Sequence, residues 1–192
     1  MKRISYVFTR VSRGWVAFLA TVVFVLFTVF VLPDQATKAE STSGGEGSPD
    51  TSFWYSPADL LRYAETYGEA GRESYVRARW TFDLIFPLAY AFFLISTISW
   101  LFASAHPEGS RFRLVNLIPF MAMIFDFLEN SATSLVMARY PGSTPIATHL
   151  APILTLLKWI LVTGSFLVLL LGIAMMANAR LRMRQAPRSE SA

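Results

Sequence analysis

The sequence predicts an all-α polytopic membrane protein, with four transmembrane helices in an antiparallel bundle and a short extracytoplasmic surface helix. The first observation is composition: of 192 residues, 54% are hydrophobic and only 16% are charged, whereas about a quarter of a soluble domain is charged. The second is that four apolar segments of membrane-spanning length are separated by polar turns. The third is that cations concentrate at the chain ends and in alternate turns, as the positive-inside rule requires.

Residues 1–14 form a basic N-terminus, which we expect to be cytoplasmic. The first span follows over residues 15–32, which carry no charge. At 1.5 Å per residue this run covers about 27 Å, close to the hydrocarbon thickness. A cleaved signal peptide is the alternative, but the run is long for one, and residues 33–36 lack the small residue expected three positions before a cut.

Residues 33–80 form a long extracytoplasmic loop in two parts. Residues 34–52 are polar and rich in Ser and Gly, which predicts a disordered segment, because little apolar surface is there to offset the ordering entropy. Ser56 and Asp59 then predict a capped helix start. We expect a surface helix over residues 57–67 that lies on the membrane; a plain connecting hairpin is the alternative.

Two glycines should interrupt the loop after the surface helix. We expect breaks at Gly68 and Gly71, and a second helix that restarts at Arg72. The rest of the chain divides into a second span over 81–103, a turn over 104–113, a third span over 114–137, a turn over 138–149, a fourth span over 150–177 and a basic tail over 178–192.

The distribution of cations predicts the orientation. The N-terminus, the 104–113 turn and the tail carry four, two and four Lys or Arg residues. With four spans, these segments share a side, and short basic segments remain in the cytoplasm. We therefore expect a multi-pass protein of the inner (plasma) membrane with both termini cytoplasmic.

The third span carries ionisable groups at a depth where they are costly. Asp126 and Glu129 lie near its middle, and Lys158 interrupts the fourth span; each calls for a partner or a purpose. Glu129 and Lys158 both lie about eight residues from the outer ends of their spans, roughly 12 Å deep, so the two side chains should meet. Asn130 follows Asp126 by one helical turn and lies on the same face.

These groups define a candidate ligand-binding site. Its members are Asp83, Tyr90, Asp126, Glu129, Asn130 and Lys158, with Arg72 and Tyr75 at its mouth. Our preferred hypothesis is a polar intramembrane pocket that binds a lipid or a small amphiphile. A purely structural or interaction protein, in which Lys158 pairs with Glu129 or Asp126, is the first alternative. A proton- or ion-coupled carrier is the second.

Several other functions lack support in the sequence. No nucleophile signature accompanies the carboxylates, so we assign no catalytic residue and lean against an enzyme. The chain has no cysteine, and neither His106 nor His149 has a ligand partner at helical spacing, so we expect no metal and no cofactor. Basic residues do not alternate with aromatics as in a nucleic-acid groove. Membrane lipid is the expected partner, and nothing identifies a protein partner.

Four segments carry a resemblance to known proteins. Gly68–Tyr75, Asp83–Tyr90, Asp126–Asn130 and Leu157–Trp159 resemble the corresponding segments of a group of uncharacterised bacterial four-span integral membrane proteins. The resemblance implies a bacterial inner membrane and brings no activity with it. At the level of the fold alone, the expected bundle is also similar to the sterol-isomerase and sigma-2-receptor superfamily, whose motifs do not occur here in order.

Overall fold

A computed structural model describes residues 1–43 and 47–185, and within them the regular structure is entirely helical. The helices are α1 (Lys2–Val11), α2 (Gly14–Phe30), α3 (Leu32–Ser43), α4 (Pro57–Thr66), α5 (Gly68–Arg79), α6 (Phe82–Ala105), α7 (Ile118–Arg139) and α8 (Pro145–Gln185), with short 3-10 helices at Pro49–Thr51 and Arg111–Leu117. Three stretches of these residues, Gly14–Glu40, Gly68–Ala105 and Pro145–Arg182, are long and apolar enough to cross a membrane.

α7 does not meet that criterion of apolarity. Its 22 residues measure about 33 Å, which is long enough, but Asp126, Glu129 and Asn130 lower its hydropathy. α7 nevertheless makes the most extensive contact in the fold, with α8, and it also packs on α6. Polar side chains that face other helices lower the mean hydropathy of a helix even though they do not face lipid.

The long helices pack side by side, and a different segment of the chain lies at each end of them. α2 packs on α6, and α6 contacts both α7 and α8. At one end, which we call the α1 end, α1 lies against α6 and the Arg111–Leu117 helix. At the other end, residues 47–79 cover α7 and α8; we call this segment the cap.

The structure differs from the expected disorder over residues 34–52. α3 continues the helical path from Leu32 to Ser43, and Pro49–Thr51 forms a 3-10 turn inside the cap. Pro in the first turn is compatible with a helix start, and Asp34 forms an ion pair of 2.6 Å with Lys38 one turn later. These local preferences outweigh the polar composition. Residues 44–46 of the expected loop lie outside the described residues.

The helix expected on the membrane surface begins as predicted, but it packs against other helices of the protein. The capping box is confirmed: the Asp59 N–H donates to Ser56 Oγ at 3.1 Å, and the Ser56 N–H donates to Asp59 Oδ2 at 2.9 Å. The apolar side of α4, however, faces protein and not lipid. Leu60 and Ala64 are fully buried, because α4 packs on α7 and α8.

The breaks between helices also differ in detail from those expected. Tyr67 alone separates α4 from α5, and the break is at Gly68, the first residue of α5, whose φ of +63° favours glycine; Gly71 lies within α5. Pro119 lies in the first turn of α7, where a proline does not oppose a helix. Pro87 does lie inside α6.

The limits of the third and fourth helices also differ from those of the expected spans. The third long helix begins at Ile118 and follows a 3-10 helix, whereas the sequence predicted a span from residue 114. α8 begins at Pro145 and extends to Gln185, beyond both limits of the expected 150–177 span. Residues 186–192 of the expected basic tail lie outside the part of the chain that the structure describes.

Candidate functional site

A buried ion pair joins α7 to α8 beneath the cap. Lys158 Nζ lies 2.5 Å from Glu129 Oε2, and the two residues are 5% and 0% exposed. Thr155, one turn before Lys158, donates from Oγ1 to the other carboxylate oxygen, Glu129 Oε1, at 2.9 Å. The contact predicted from equal depth in antiparallel helices is thus confirmed, and both oxygens of Glu129 have partners.

Asp126 lies one turn deeper and has a different kind of environment. Tyr90 of α6 donates its hydroxyl to Asp126 Oδ2 at 3.1 Å, and Asn130 Nδ2 donates to Asp126 Oδ1 at 3.3 Å. Asn130 Nδ2 also reaches the backbone carbonyl of Asp83 at 3.2 Å. Asp126 is only 8% exposed, and both of its partners are neutral donors.

A second ionic group ties the cap to α6. Arg79, at the end of α5, forms an ion pair with Asp50 of the cap and lies with its Nε 3.1 Å from Asp83 Oδ2. The Arg79 guanidinium lies over the ring of Tyr75, 4.5 Å from its centroid, and the Tyr75 hydroxyl donates to Asp50 Oδ1 at 3.3 Å. Arg79 is buried, so these acids and this ring replace its water.

Neutral hydrogen bonds connect the cap to the same region. The Tyr55 hydroxyl lies 3.0 Å from Thr155 Oγ1, and Trp159 Nε1 donates to the Asp50 carbonyl at 3.2 Å. Tyr67 donates to the Gly47 carbonyl at 2.7 Å; burial raises the pKa of Tyr67 to about 12, so the phenol remains a donor at neutral pH. Burial is also the main reason that the pKa of Tyr55 lies above its usual range.

These side chains form what we call the polar network, which has more acids than cations. Its members are Asp50, Tyr55, Tyr67, Tyr75, Arg79, Asp83, Tyr90, Asp126, Glu129, Asn130, Thr155, Lys158 and Trp159. It contains four carboxylates and two cations: Asp50, Asp83, Asp126 and Glu129 against Arg79 and Lys158. Three of the acids lie within ion-pair distance of a cation. Among the described residues, Asp126 has no cation at that distance.

Seven of the eight residues predicted for the site belong to this network. Glu129 and Lys158 form one contact, and Asp126, Asn130 and Tyr90 form another. Asp83 and Tyr75 join through Arg79. The eighth, Arg72, does not touch the network: it donates to the Ala64 carbonyl at 2.8 Å and lies over the ring of Tyr140.

The predicted site lacked six members of the network, namely Asp50, Tyr55, Tyr67, Arg79, Thr155 and Trp159. Arg79 has an i, i+4 spacing to Asp83, which is a usable signal. Thr155 lies one turn from Lys158, which is another. Asp50 and Tyr55 carry no local signal, because their contacts join segments about a hundred residues apart.

The buried side chains of the network contact one another between the helices. Two surface cavities are lined by other residues: one lies between α6 and α8 around Trp100 and Met176, and the other lies beside α1. Among the described residues, no group of His, Cys, Asp and Glu is arranged to hold a metal ion. Because a proton needs no cavity, a buried carboxyl of the network such as Asp126 can hold one in this arrangement.

The chain matches no protein-family model, no curated protein and no solved structure.

Proposed function

We propose that the protein is an integral membrane protein whose four spans, α2, α6, α7 and α8, form an antiparallel bundle in the bacterial inner (plasma) membrane. α1, the 104–113 turn and the Arg180 region of α8 lie toward the same end of α6, which fits an even number of crossings. These short segments are basic, which favours cytoplasmic termini. The two carboxylates near the middle of α7, Asp126 and Glu129, have hydrogen-bond or ion-pair partners within the protein, so its lower hydropathy does not oppose a fourth span.

We further propose that this protein is proton-coupled and that Asp126 is where the proton resides. The observation that carries the proposal is the buried Asp126 carboxyl, whose oxygens accept hydrogen bonds from Tyr90 and Asn130 and lie within ion-pair distance of no cation among the described residues. If all four network acids were ionised, the two cations would leave two negative charges uncompensated. An isolated buried charge is so costly that such a group neutralises, and a proton needs no cavity.

The second candidate is a structural network that fastens the cap. The observation in its favour is that Lys158 and Arg79 each have a carboxylate partner, an arrangement that fixes the register of helices. The lipid or amphiphile pocket expected from the sequence has less support, because the residues assigned to it contact each other. The two candidates differ at Asp126, which a purely structural network needs only as a hydrogen-bond acceptor.

Proton flux through reconstituted protein tests the proposal. Wild type, Asp126→Asn and the control Asp34→Asn are placed in liposomes with an entrapped pH-sensitive dye, and a proton gradient is imposed. Asp34 is an exposed carboxylate of α3, 61% accessible. We expect wild type and Asp34→Asn to dissipate the gradient at equal rates and Asp126→Asn to be slower. Equal rates for all three would contradict proton coupling at Asp126.

A further inference from the structure

A cavity of about 680 Å³ lies at the α1 end, far from the polar network. α1 forms one wall with Lys2, Arg3 and Ser5, and the turn before α7 forms the other with Ser110 and Arg111. The two walls are held together by polar contacts: Ser5 Oγ donates to the Arg113 carbonyl at 3.2 Å, and Asn116 Nδ2 donates to the Ser5 carbonyl at 3.2 Å. The cavity is thus a fixed feature between two anchored segments.

Eight of the twelve residues that line the cavity carry a cationic or a hydroxyl side chain. Lys2, Arg3, Arg111 and Arg113 stand against one acid, Glu108. Arg113 is already engaged, because its guanidinium donates to the carbonyls of Ala103 and His106 and so caps the end of α6. The other three cations are exposed and form no hydrogen bond or ion pair with the described residues. Such a set fits an anion that carries phosphate oxygens.

The outer surface of α1 indicates where that anion comes from. Ile4, Val7 and Val11 repeat at helical spacing and are 43%, 54% and 62% exposed, whereas the polar Ser5 and Ser12 are buried against the protein. This is the reverse of a helix on a soluble protein. An amphipathic helix with an apolar outer side and cations beside it is typical of the membrane interface, where acyl chains cover the apolar side.

We propose that this cavity binds the headgroup of an anionic phospholipid, with its phosphate between α1 and the Ser110–Arg111 turn and its acyl chains along the exposed side of α1. Clustered cations beside a membrane helix attract anionic lipid headgroups, and each contributes about a fivefold gain in affinity. The site uses none of the polar network. The proposal of a lipid site therefore does not depend on whether Asp126 carries a proton or on which leaflet the α1 end faces.

Native mass spectrometry of the full chain in mild detergent tests the site. The protein is titrated separately with phosphatidylglycerol and with phosphatidylcholine of the same acyl chains. We expect wild type to retain more phosphatidylglycerol, and the double variant Arg3→Gln/Arg111→Gln to lose about 25-fold in that preference. Arg113 is left intact because it holds the end of α6.

A matched control removes two arginines from the opposite end. Arg62→Gln/Arg77→Gln changes two exposed side chains of the cap, 59% and 73% accessible, and should retain the wild-type preference. Equal retention of the two lipids by wild type would overturn the proposal, as would an equal loss in both double variants. Thermal stabilisation of lipid-free protein by inorganic phosphate, to the extent given by phosphatidylglycerol, would also overturn it, because the ligand would then be free phosphate.

Discussion

Removing either partner of the Glu129–Lys158 pair should strongly destabilise the protein, while removing both should cost much less than the sum. The pair is 2.5 Å apart and almost fully buried. Lys158→Met leaves a buried carboxylate that accepts from Thr155 but has lost its cation, and Glu129→Gln leaves a buried ammonium without its carboxylate partner. Breaking one side of a buried pair costs about 3–5 kcal/mol, whereas replacing both partners is often close to neutral.

The assay is the free energy of unfolding in mixed detergent for wild type, the two single variants and the double variant. The expected sign of the result is a rescue, with the double variant more stable than either single variant by about 2 kcal/mol or more. Lys38→Met serves as the control, because its ion pair with Asp34 is exposed and should contribute less than about 1 kcal/mol. Strictly additive losses would refute direct coupling between Glu129 and Lys158.

Three further predictions concern the cap and the contact between α6 and α8. Arg79→Met should leave Asp50 and Asp83 without their cation and cost about 3–5 kcal/mol. It should also speed hydrogen exchange in α4 and α5; unchanged exchange would argue that the cap docks without Arg79. Gly172→Leu should cost about 1–3 kcal/mol, because a Cβ there lies 3.1 Å from α6 side chains, whereas a Cβ at Gly164 meets nothing within 4 Å, and Gly164→Leu should leave the melting temperature nearly unchanged. Ser56→Ala should cost about 1 kcal/mol by removing the side-chain hydrogen bond acceptor at the N-terminus of α4. Hydrogen bonds from Ser56 hold the pKa of Asp59 below its usual range, so the contribution of Asp59 is complete at neutral pH and should disappear as the pH falls through that lowered value; a flat acid profile would contradict this.

Helical geometry explains why part of the site was predictable. A helix has a fixed rise, so counting residues from the outer turns places Glu129 and Lys158 at one depth, and the structure joins them. Asp83 and Tyr90 are seven residues apart and so lie on one side of a helix, and Tyr90 meets Asp126 in the structure. Both inferences need only the helix period and the cost of exposing polar groups to lipid.

The cap was not predictable by the same reasoning. Asp50 belongs to a polar stretch without periodicity, and its contacts with Arg79 and Trp159 depend on how the cap folds back over α7 and α8. The apolar side of α4 was read correctly as apolar but was assigned to lipid. Amphipathicity alone does not distinguish a lipid surface from a protein surface, and Leu60 is buried in protein.

Infrared difference spectroscopy of reconstituted protein tests the proposed proton on Asp126 most directly, because a protonated carboxylic acid has a carbonyl stretch that an ionised carboxylate lacks. Spectra of wild type and Asp126→Asn are compared at neutral pH, with Asp34→Asn as the control. We expect wild type and the control to share a buried carboxylic acid band that is missing in Asp126→Asn. A wild-type spectrum without that band, or a band that survives in Asp126→Asn, would contradict the proposal.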